Sequence, residues 1–402
     1  MPERLPDAEW RARSGLARLC AVLGAGEGQA RFVGGAVRDG LLGIPVKDVD
    51  IATVHLPEAV VERVTGAGFK AVPTGIAHGT VTAVVHGWPV EITTLRRDVS
   101  TDGRRATVAF GTDWREDAAR RDFTMNALYA DPVDGTLFDY FGGLDDLAAH
   151  RVRFIGDPHA RIGEDHLRIL RYFRFTARFG TVDRASADYR ACVDRATSLM
   201  ALSRERIADE LFKLLALPDP SGVVAAMIED RIFQPVLPEI GIDGLAVLQR
   251  LVAAEQATGT EPDALRRLLA LLPPDAAVAD QVAARLRLSN KARVRMTAAL
   301  TPRDTPHARG LVYGIGTAAA MDQILLGRAF DLAQLADIVD WTPPRLPLSG
   351  GNLIGMGLEP GPQVARALQA LEKQWVAAGF PGEAETRALA DQILVSWLRL
   401  NQ

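Results

Sequence analysis

Arg31-Phe-Val-Gly-Gly-Ala-Val-Arg-Asp39 is followed by Val46-Lys-Asp-Val-Asp-Ile-Ala-Thr53. The first run reads as a strand over Ala30–Val33, a turn at Gly34–Gly35 and a short helix over Ala36–Leu42. The second reads as another strand. Side chains at i and i+2 of a strand leave the same face. Asp48 and Asp50 therefore point together, while Val49 and Ile51 point into a core. Two carboxylates on one face are oxygen ligands suited to Mg²⁺. The backbone amides of Gly34 and Gly35 can approach a triphosphate, helped by the helix N-terminus. Arg38, one turn into that helix, can add charge-assisted bonds to phosphate. Alone, a Gly-Gly is usually a turn and an Asp-x-Asp usually a solvated edge or a cap. In this order and at this spacing they point to a metal and phosphate site on an α/β fold.

Further along, Thr80–Val85 and Val90–Leu95 read as a hairpin joined around His86–Gly87. Glu91 stands on its second strand, either as a third carboxylate of the site or as an ordinary exposed strand glutamate. Residues 30 to 145 are thus α/β. From about Ala148 the strand signals stop. Ala160–Gly180, Ser203–Leu217, Ser221–Ile232, Ala264–Leu272 and Asp280–Leu288 carry apolar residues at helical spacing. Pro-containing breaks separate them, and Ser289 is placed to cap the next helix. Pro-rich Thr342–Leu348 reads as a linker. The expected organisation is a head over 1–147, a helical neck over 148–217, a helical body over 218–341 and a helical tail over 349–402.

A chain of 402 residues is long enough for two to four domains. No run approaches the roughly 18 apolar residues of a membrane span. Met1–Glu9 is polar and lacks the apolar core of a signal peptide. Cys20 and Cys192 lie in helix-like stretches, and no Cys–His cluster has metal-ligand spacing. A cytoplasmic protein is expected, with no membrane partner and no obligate protein partner evident. The formal net charge of −4 argues mildly against a nucleic-acid partner, so the local clustering of arginines matters more than their number.

The Gly-Gly and Asp-x-Asp combination resembles the signature of the DNA-polymerase-β-like nucleotidyltransferases. Val33-Gly-Gly-Ala-Val-Arg-Asp-Gly-Leu-Leu-Gly43 with Lys47-Asp-Val-Asp-Ile51 resembles the first motif of the class II tRNA nucleotidyltransferases and bacterial poly(A) polymerases. Asp117-Ala-Ala-Arg-Arg-Asp-Phe-Thr-Met-Asn-Ala-Leu128 resembles the second motif of that family. The resemblance implies that Arg121, Asp122 and Asn126 contact the incoming nucleotide, chiefly its sugar. An Asp–Asn pair can accept from and donate to ribose hydroxyls; Asp122 can equally be a helix cap. The charged segment Arg96–Arg105 is similar to the loop that CCA-adding members use to switch from C to A addition. Asp139-Tyr-Phe-Gly-Gly-Leu-Asp-Asp-Leu147 resembles the third motif, where Gly142 and Gly143 suit a hinge or a plain structural turn.

Arg161-Ile-Gly-Glu-Asp-His-Leu-Arg-Ile-Leu-Arg-Tyr-Phe-Arg-Phe175 matches the family's Glu-Asp-x-x-Arg motif. Asp165 and Arg168, read as i and i+3 of one helix, would be neighbours. Cytosine and adenine each offer an amine beside an acceptor, which an Asp–Arg pair complements. Uracil and guanine present the opposite polarity and leave both protein groups unsatisfied. Arg171 and Arg174 continue the face, and in the family such arginines reach the triphosphate. Arg206 and Glu210 read as a structural i,i+4 pair. Arg285–Arg295 fits either an RNA-tracking surface or a solvated helical face, and the Gly-rich Leu346–Val364 segment resembles the tail that holds tRNA.

The resemblance implies addition of CCA to the tRNA 3′ end from CTP and ATP, with release of pyrophosphate. Asp48 and Asp50 would hold two Mg²⁺ ions for in-line attack. The alternatives are an A-adding relative or a poly(A) polymerase, which share the head motifs, and more remotely a non-catalytic RNA-binding module. Intact Asp48 and Asp50 argue against the last. No His-Asp dipeptide occurs, so the phosphohydrolase activity of some relatives is not expected.

Overall fold

The computed structural model describes residues 2–102 and 105–400, and their side chains except at 98–102, 105–108 and 396–400. It divides into two compact units, Met1–Val236 and Leu237–Gln402. The first takes in the segments expected as head and neck, the second most of those expected as body and tail.

Nine strands are described: β1 Ala30–Val33, β2 Val49–Thr53, β3 Lys70–Gly75, β4 Thr80–Val85, β5 Trp88–Thr94, β6 Arg96–Asp102, β7 Arg105–Phe110, β8 Leu128–Ala130 and β9 Leu137–Asp139. Seven of them form one sheet in the order β3-β4-β5-β2-β1-β8-β9. Only β2 and β5 run parallel within it. The crossover between those two passes through the helix Pro57–Gly66 and the β3–β4 pair. Alternation builds the sheet: Val49, Ile51, Val81, Ala83, Val85, Val90 and Ile92 are buried on one face. The β4–β5 hairpin forms as expected, closing on His86 and Gly87, both at positive φ. That geometry matches the right-handed twist of the flanking strands. The segment expected as a nucleotide-switching loop is the β6–β7 hairpin, with Asp102 opposite Arg105. Gly103 and Arg104 of that segment lie outside the described residues.

No strand follows β9 among the described residues, in line with the expected change to helix. One expectation fails here. Ala160–Gly180 is not a single helix but two, Pro158–Glu164 and Arg168–Phe179. Asp165 is extended at φ −151° and ψ 108°. Its carboxylate accepts the Leu167 amide at 3.1 Å, a local bond that competes with the helical ladder. Aromatic packing joins this helix pair to the sheet domain: Phe123 lies 4.9 Å from Phe154 and 5.1 Å from Phe175, centroid to centroid.

Gly142 and Gly143 form a fixed turn. The Asp139 carboxylate accepts the amides of Phe141, Gly143 and Leu144 at 3.2, 2.9 and 2.9 Å. A Cβ on Gly143 would stand 2.4 Å from the Thr124 carbonyl oxygen. Gly143→Ala should therefore destabilise the first unit by about 1–3 kcal/mol through overpacking. Urea unfolding followed by tryptophan fluorescence reads the shift, and an unshifted midpoint would show that the turn gives way freely.

The second unit is all helix in its described part. Leu353, Ala367, Leu371, Ile393 and Leu394 make the core of its C-terminal portion. Ser289 caps the helix Asn290–Leu300 through the Ala292 amide, as expected. The basic run 285–295 is largely neutralised. Arg285 pairs with Glu239, Arg293 with Asp280, and Arg295 with Asp322 and Asp263. These guanidiniums serve internal bonds, which removes most of the charge an RNA-tracking surface needs. At Ser349 a capping box with Asn352 occupies the start of the Gly350–Gly355 helix, so part of that Gly-rich turn is self-satisfied.

Candidate active site

The site is built where β1, β2 and β5 lie side by side. Asp48 stands one residue before β2, and Asp50 is within it, one residue after Val49. Asp50 is in register with Glu91 on β5, so the two carboxylates share a face on neighbouring strands. Asp48 and Glu91 are exposed and Asp50 is half-buried. Among the described residues, no hydrogen bond or ion pair engages any of the three. Their crowding has an electrostatic signature. Burial, then the charges of Glu91 and Asp48, push the Asp50 carboxyl up to about 6 against the pull of Arg121.

This row has the chemistry that suits a cation: oxygen donors, mutually repelling and unpaired among the described residues. No group of three His, Cys, Asp or Glu among the described residues is gathered closely enough to hold a metal unaided. Mg²⁺ does not require that, because it is usually held by one or two carboxylates together with substrate phosphates. The residues present fit a divalent ion that shares its coordination with a nucleotide.

Beside the row lies the Gly34–Gly35 turn. Gly34 adopts φ 69° and ψ −124°, a conformation closed to side-chain-bearing residues. A Cβ there would meet Arg121 Nη1 at 3.4 Å and the Asn126 carbonyl at 3.5 Å. Arg121 is held from behind, its Nε donating to Tyr129 Oη at 3.3 Å and Nη2 to Asp117 at 3.2 Å. Nη1 has no hydrogen-bond partner among the described residues and faces the turn. Arg121 is thus a guanidinium with one edge anchored and one offered.

The other expected nucleotide contacts form a network. Asp122 Oδ1 accepts from the Phe123 amide and Asn126 Nδ2, both at 2.9 Å. Its Oδ2 accepts from Arg171 Nε at 2.8 Å and Nη2 at 2.6 Å. Burial works to raise this carboxyl, but Arg171, Asn126 and the Phe123 amide hold it below the usual range. Asp122 is therefore not a helix cap but a link between the β-sheet domain and the Arg168–Phe179 helix. Asn126 Oδ1 accepts from Arg38. Arg38 itself is buried, paired with Asp39 at 2.7 Å and packed 4.2 Å over Phe179. Its guanidinium steadies Asn126 and also lies beside the turn, where a Cβ on Gly35 would meet Arg38 Nη2 at 3.6 Å, the side on which a phosphate contact was expected. Arg174 and Arg171 converge on buried Glu210, at 2.6 and 3.7 Å.

Asp122→Ala would leave Arg171 short of its bidentate partner and Asn126 half-bonded. The expected cost is about 2–4 kcal/mol of stability, together with a rise in KM for every nucleotide alike. Chemical denaturation and steady-state kinetics with each nucleotide check both parts.

Asp165 and Arg168 do not stand on one helical face, contrary to the expected i,i+3 geometry, because the chain breaks between them. Asp165 sits in the break and Arg168 opens the second helix, its amide donating to the Asp165 carbonyl at 3.0 Å. Arg206 Nη2 bonds Asp165 Oδ2 at 2.7 Å. Arg168 bonds Glu164 and the Arg161 carbonyl. The expected Arg206–Glu210 pair is thus replaced by Arg206–Asp165 and Arg174–Glu210. Each member of the expected base-reading pair is steadied by a third residue, and among the described residues lone pairs on Asp165 and the Nε and Nη2 hydrogens on Arg168 stay uncommitted.

Three buried supports were missed by sequence reasoning. Asp117 gathers Arg120, Arg121 and Tyr129. Asp146 gathers Thr124, Arg151 and Arg153. Arg161 donates to the Arg120 and Arg121 carbonyls. Only Asp117 left a local signal, its spacing of three and four residues from Arg120 and Arg121.

Comparison with known proteins finds relatives along nearly the whole chain. Residues 30–153 match the model described as the poly A polymerase head domain, and residues 189–242 that described as the probable RNA and SrmB- binding site of polymerase A. The mouse (Mus musculus) CCA tRNA nucleotidyltransferase 1, mitochondrial, is 34% identical, the alignment covering 94% of this chain and 90% of the relative. A CCA-adding enzyme of Lacticaseibacillus paracasei is 36% identical over 88% of this chain and 90% of its own. The crystal structure of the Bacillus stearothermophilus CCA-adding enzyme in complex with CTP aligns with a TM-score of 0.74 at 28% identity, covering 95% of this chain and 98% of that one. With identity at this level along nearly the whole length, the chain belongs to the family of CCA-adding tRNA nucleotidyltransferases.

Proposed function

We infer that this protein adds CCA to the 3′ end of tRNA from CTP and ATP, releasing pyrophosphate, and we propose the residues that do it. The observation that carries the assignment of residues is the contrast in pairing. Asp39, Asp117, Asp122, Asp165, Glu164 and Glu210 are each bonded to arginine. Asp48, Asp50 and Glu91 are not, although they stand together. Acids left unpaired in a row are held for a cation that arrives with the substrate.

Asp48, Asp50 and Glu91 would hold Mg²⁺, which when bound would neutralise the triphosphate and acidify the attacking hydroxyl. The Gly34–Gly35 turn and Arg121 Nη1 take the triphosphate beside it. The RNA 3′ oxygen, its proton lost to solvent, bonds the α-phosphorus as the bond between that phosphorus and the α,β-bridging oxygen breaks and pyrophosphate leaves. Asp122 and Asn126 keep Arg171 and the 121–126 segment in place around the sugar. Asp165 accepts from the exocyclic amine of cytosine or adenine while Arg168 donates to the adjacent ring nitrogen. Arg171 and Arg174, anchored by Asp122 and Glu210, would offer their remaining guanidinium hydrogens to the phosphates. The division into head, neck, body and tail at 147, 217 and 349 is part of the same proposal. So is a cytoplasmic location, which fits the two buried, free cysteines.

The test is sequencing of the 3′ ends made from a tRNA lacking CCA, incubated with all four nucleotides and Mg²⁺. Products ending in CCA and stopping there are expected. A lone A added only to CC-ended tRNA, or an oligo(A) run, would move the function to an A-adding or polyadenylating relative.

A further inference from the structure

β3, β4 and β5 present one face to the helix Pro57–Gly66 and, among the described residues, leave the other open. The open face carries Thr80, Thr82 and Val84 on β4 and Pro89, Glu91 and Thr93 on β5, all half-buried or exposed. Register sets these residues in rows. Asp50 stands beside Glu91, Glu91 beside Thr82, and Thr82 beside Val72. Thr93 stands beside Thr80 in the next row. Thr74 Oγ1 and Thr82 Oγ1 share a hydrogen bond of 2.9 Å. Exposed Lys70, beside Val84, lies at the margin.

Reaction geometry decides what belongs there. In an in-line displacement the attacking and leaving oxygens lie on opposite sides of the phosphorus. The Gly34–Gly35 turn follows β1, which flanks β2 on the side away from β5. With the triphosphate at that turn, the attacking hydroxyl enters from the β5 side, over Glu91 and onto β4. We propose that this open threonine face, Thr82 and its partner Thr74 above all, seats the terminal nucleotide of the RNA 3′ end; the assignment rests on the CCA-adding reading. Hydroxyls donate and accept without charge, so they bond sugars and phosphates whichever base is attached. That suits a primer whose last nucleotide changes at every addition, where a base-specific contact would help one step and obstruct the next. Lys70 supplies a single charge for the phosphate behind.

The test uses the full chain with Thr74→Val and Thr82→Val combined, since valine keeps the shape and the strand preference. Loss of two hydroxyl contacts should raise KM for a tRNA lacking CCA roughly threefold to tenfold, with KM for CTP unchanged. An unchanged RNA KM, or an equal rise in both, would overturn the proposal. A second measurement needs no metal and no turnover. A minihelix RNA ending in 4-thiouridine is irradiated with the wild-type chain in EDTA. Crosslinks within residues 70–94 are expected, and crosslinks confined to other segments would overturn the seat. Because crosslinking is independent of catalysis, a chain that makes no CCA would sink the functional reading while this second result still decides the primer seat.

Discussion

Asp50→Asn is expected to slow nucleotide addition by about a thousandfold or more, and to make the metal-free protein harder to unfold at neutral pH. The first effect follows from removing a central ligand of the carboxylate row, where charge stabilisation worth several kcal/mol is at stake. The second follows from the crowding of that row. The Asp50 carboxyl is raised from 3.8 to about 6, by burial first and by Glu91 and Asp48 after it. Between those values the folded protein binds more protons than the unfolded chain. Stability is therefore lost as pH rises through this window, and the deficit persists above it. About two pKa units correspond to at most about 3 kcal/mol, and partial solvation of the site brings the expected gain nearer 1–2 kcal/mol. Asparagine relieves the repulsion at pH 7.5 and has little effect at pH 4. Mg²⁺ added together with CTP should stabilise the wild type more than the variant. Thermal melts of both proteins at the two pH values, with and without Mg²⁺ and CTP, give the answer. A variant less stable than wild type at pH 7.5 without metal would mean that the row is not under electrostatic strain.

The same row shows why part of this site was legible in the sequence. Strand alternation is local, so Asp50, the β4–β5 hairpin and the Gly34–Gly35 turn could be read from a few neighbouring residues, and Asp48 with them although it stands one residue before β2. The partner of Asp50 could be read only as one of two alternatives for Glu91, because Glu91 reaches it through a parallel register set by a crossover of some forty residues. Pairing among the arginines was the least legible feature. Arg206 has Glu210 one turn away, yet bonds Asp165, 41 positions back in the chain. Arg38 sits one turn beyond a phosphate-type turn, and its bonds to Asp39 and Asn126 and its packing over Phe175 and Phe179 could not be read from that spacing. The break at Asp165 was hidden because apolar spacing continues across it, and one side-chain-to-amide bond suffices to end a helix. In the second unit the basic run 285–295 looked free only because its carboxylate partners, Glu239, Asp263, Asp280 and Asp322, are spread over some eighty residues of chain.

These pairings sharpen what base choice demands. Asp165→Ala should cut kcat/KM for CTP and ATP by about 10- to 100-fold and narrow the margin over UTP and GTP by a similar factor. The carboxylate is the group that accepts from the cytosine or adenine amine. With alanine there, those amines go unpaired, while the carbonyl oxygens of uracil and guanine no longer meet a negative charge. Arg206, freed from its 2.7 Å bond to Asp165, adds a donor that favours a carbonyl. Arg206→Ala separates the two contributions. It leaves Asp165 in place but unsteadied, so it should lower kcat/KM for all four nucleotides alike and keep their ranking. Glu164→Gln should act similarly through Arg168, which it holds from the neighbouring helix end. Metal affinity at the Asp48–Asp50–Glu91 row should be untouched in all three, since none of these residues contacts it; calorimetric titration with Mn²⁺ provides that control. Competition assays with all four nucleotides present, scored by sequencing the added residue, measure the margin directly. If Asp165→Ala keeps the wild-type rejection of UTP and GTP, base selection does not reside in the Asp165–Arg168 pair, and the free donors and acceptors counted there serve the fold alone.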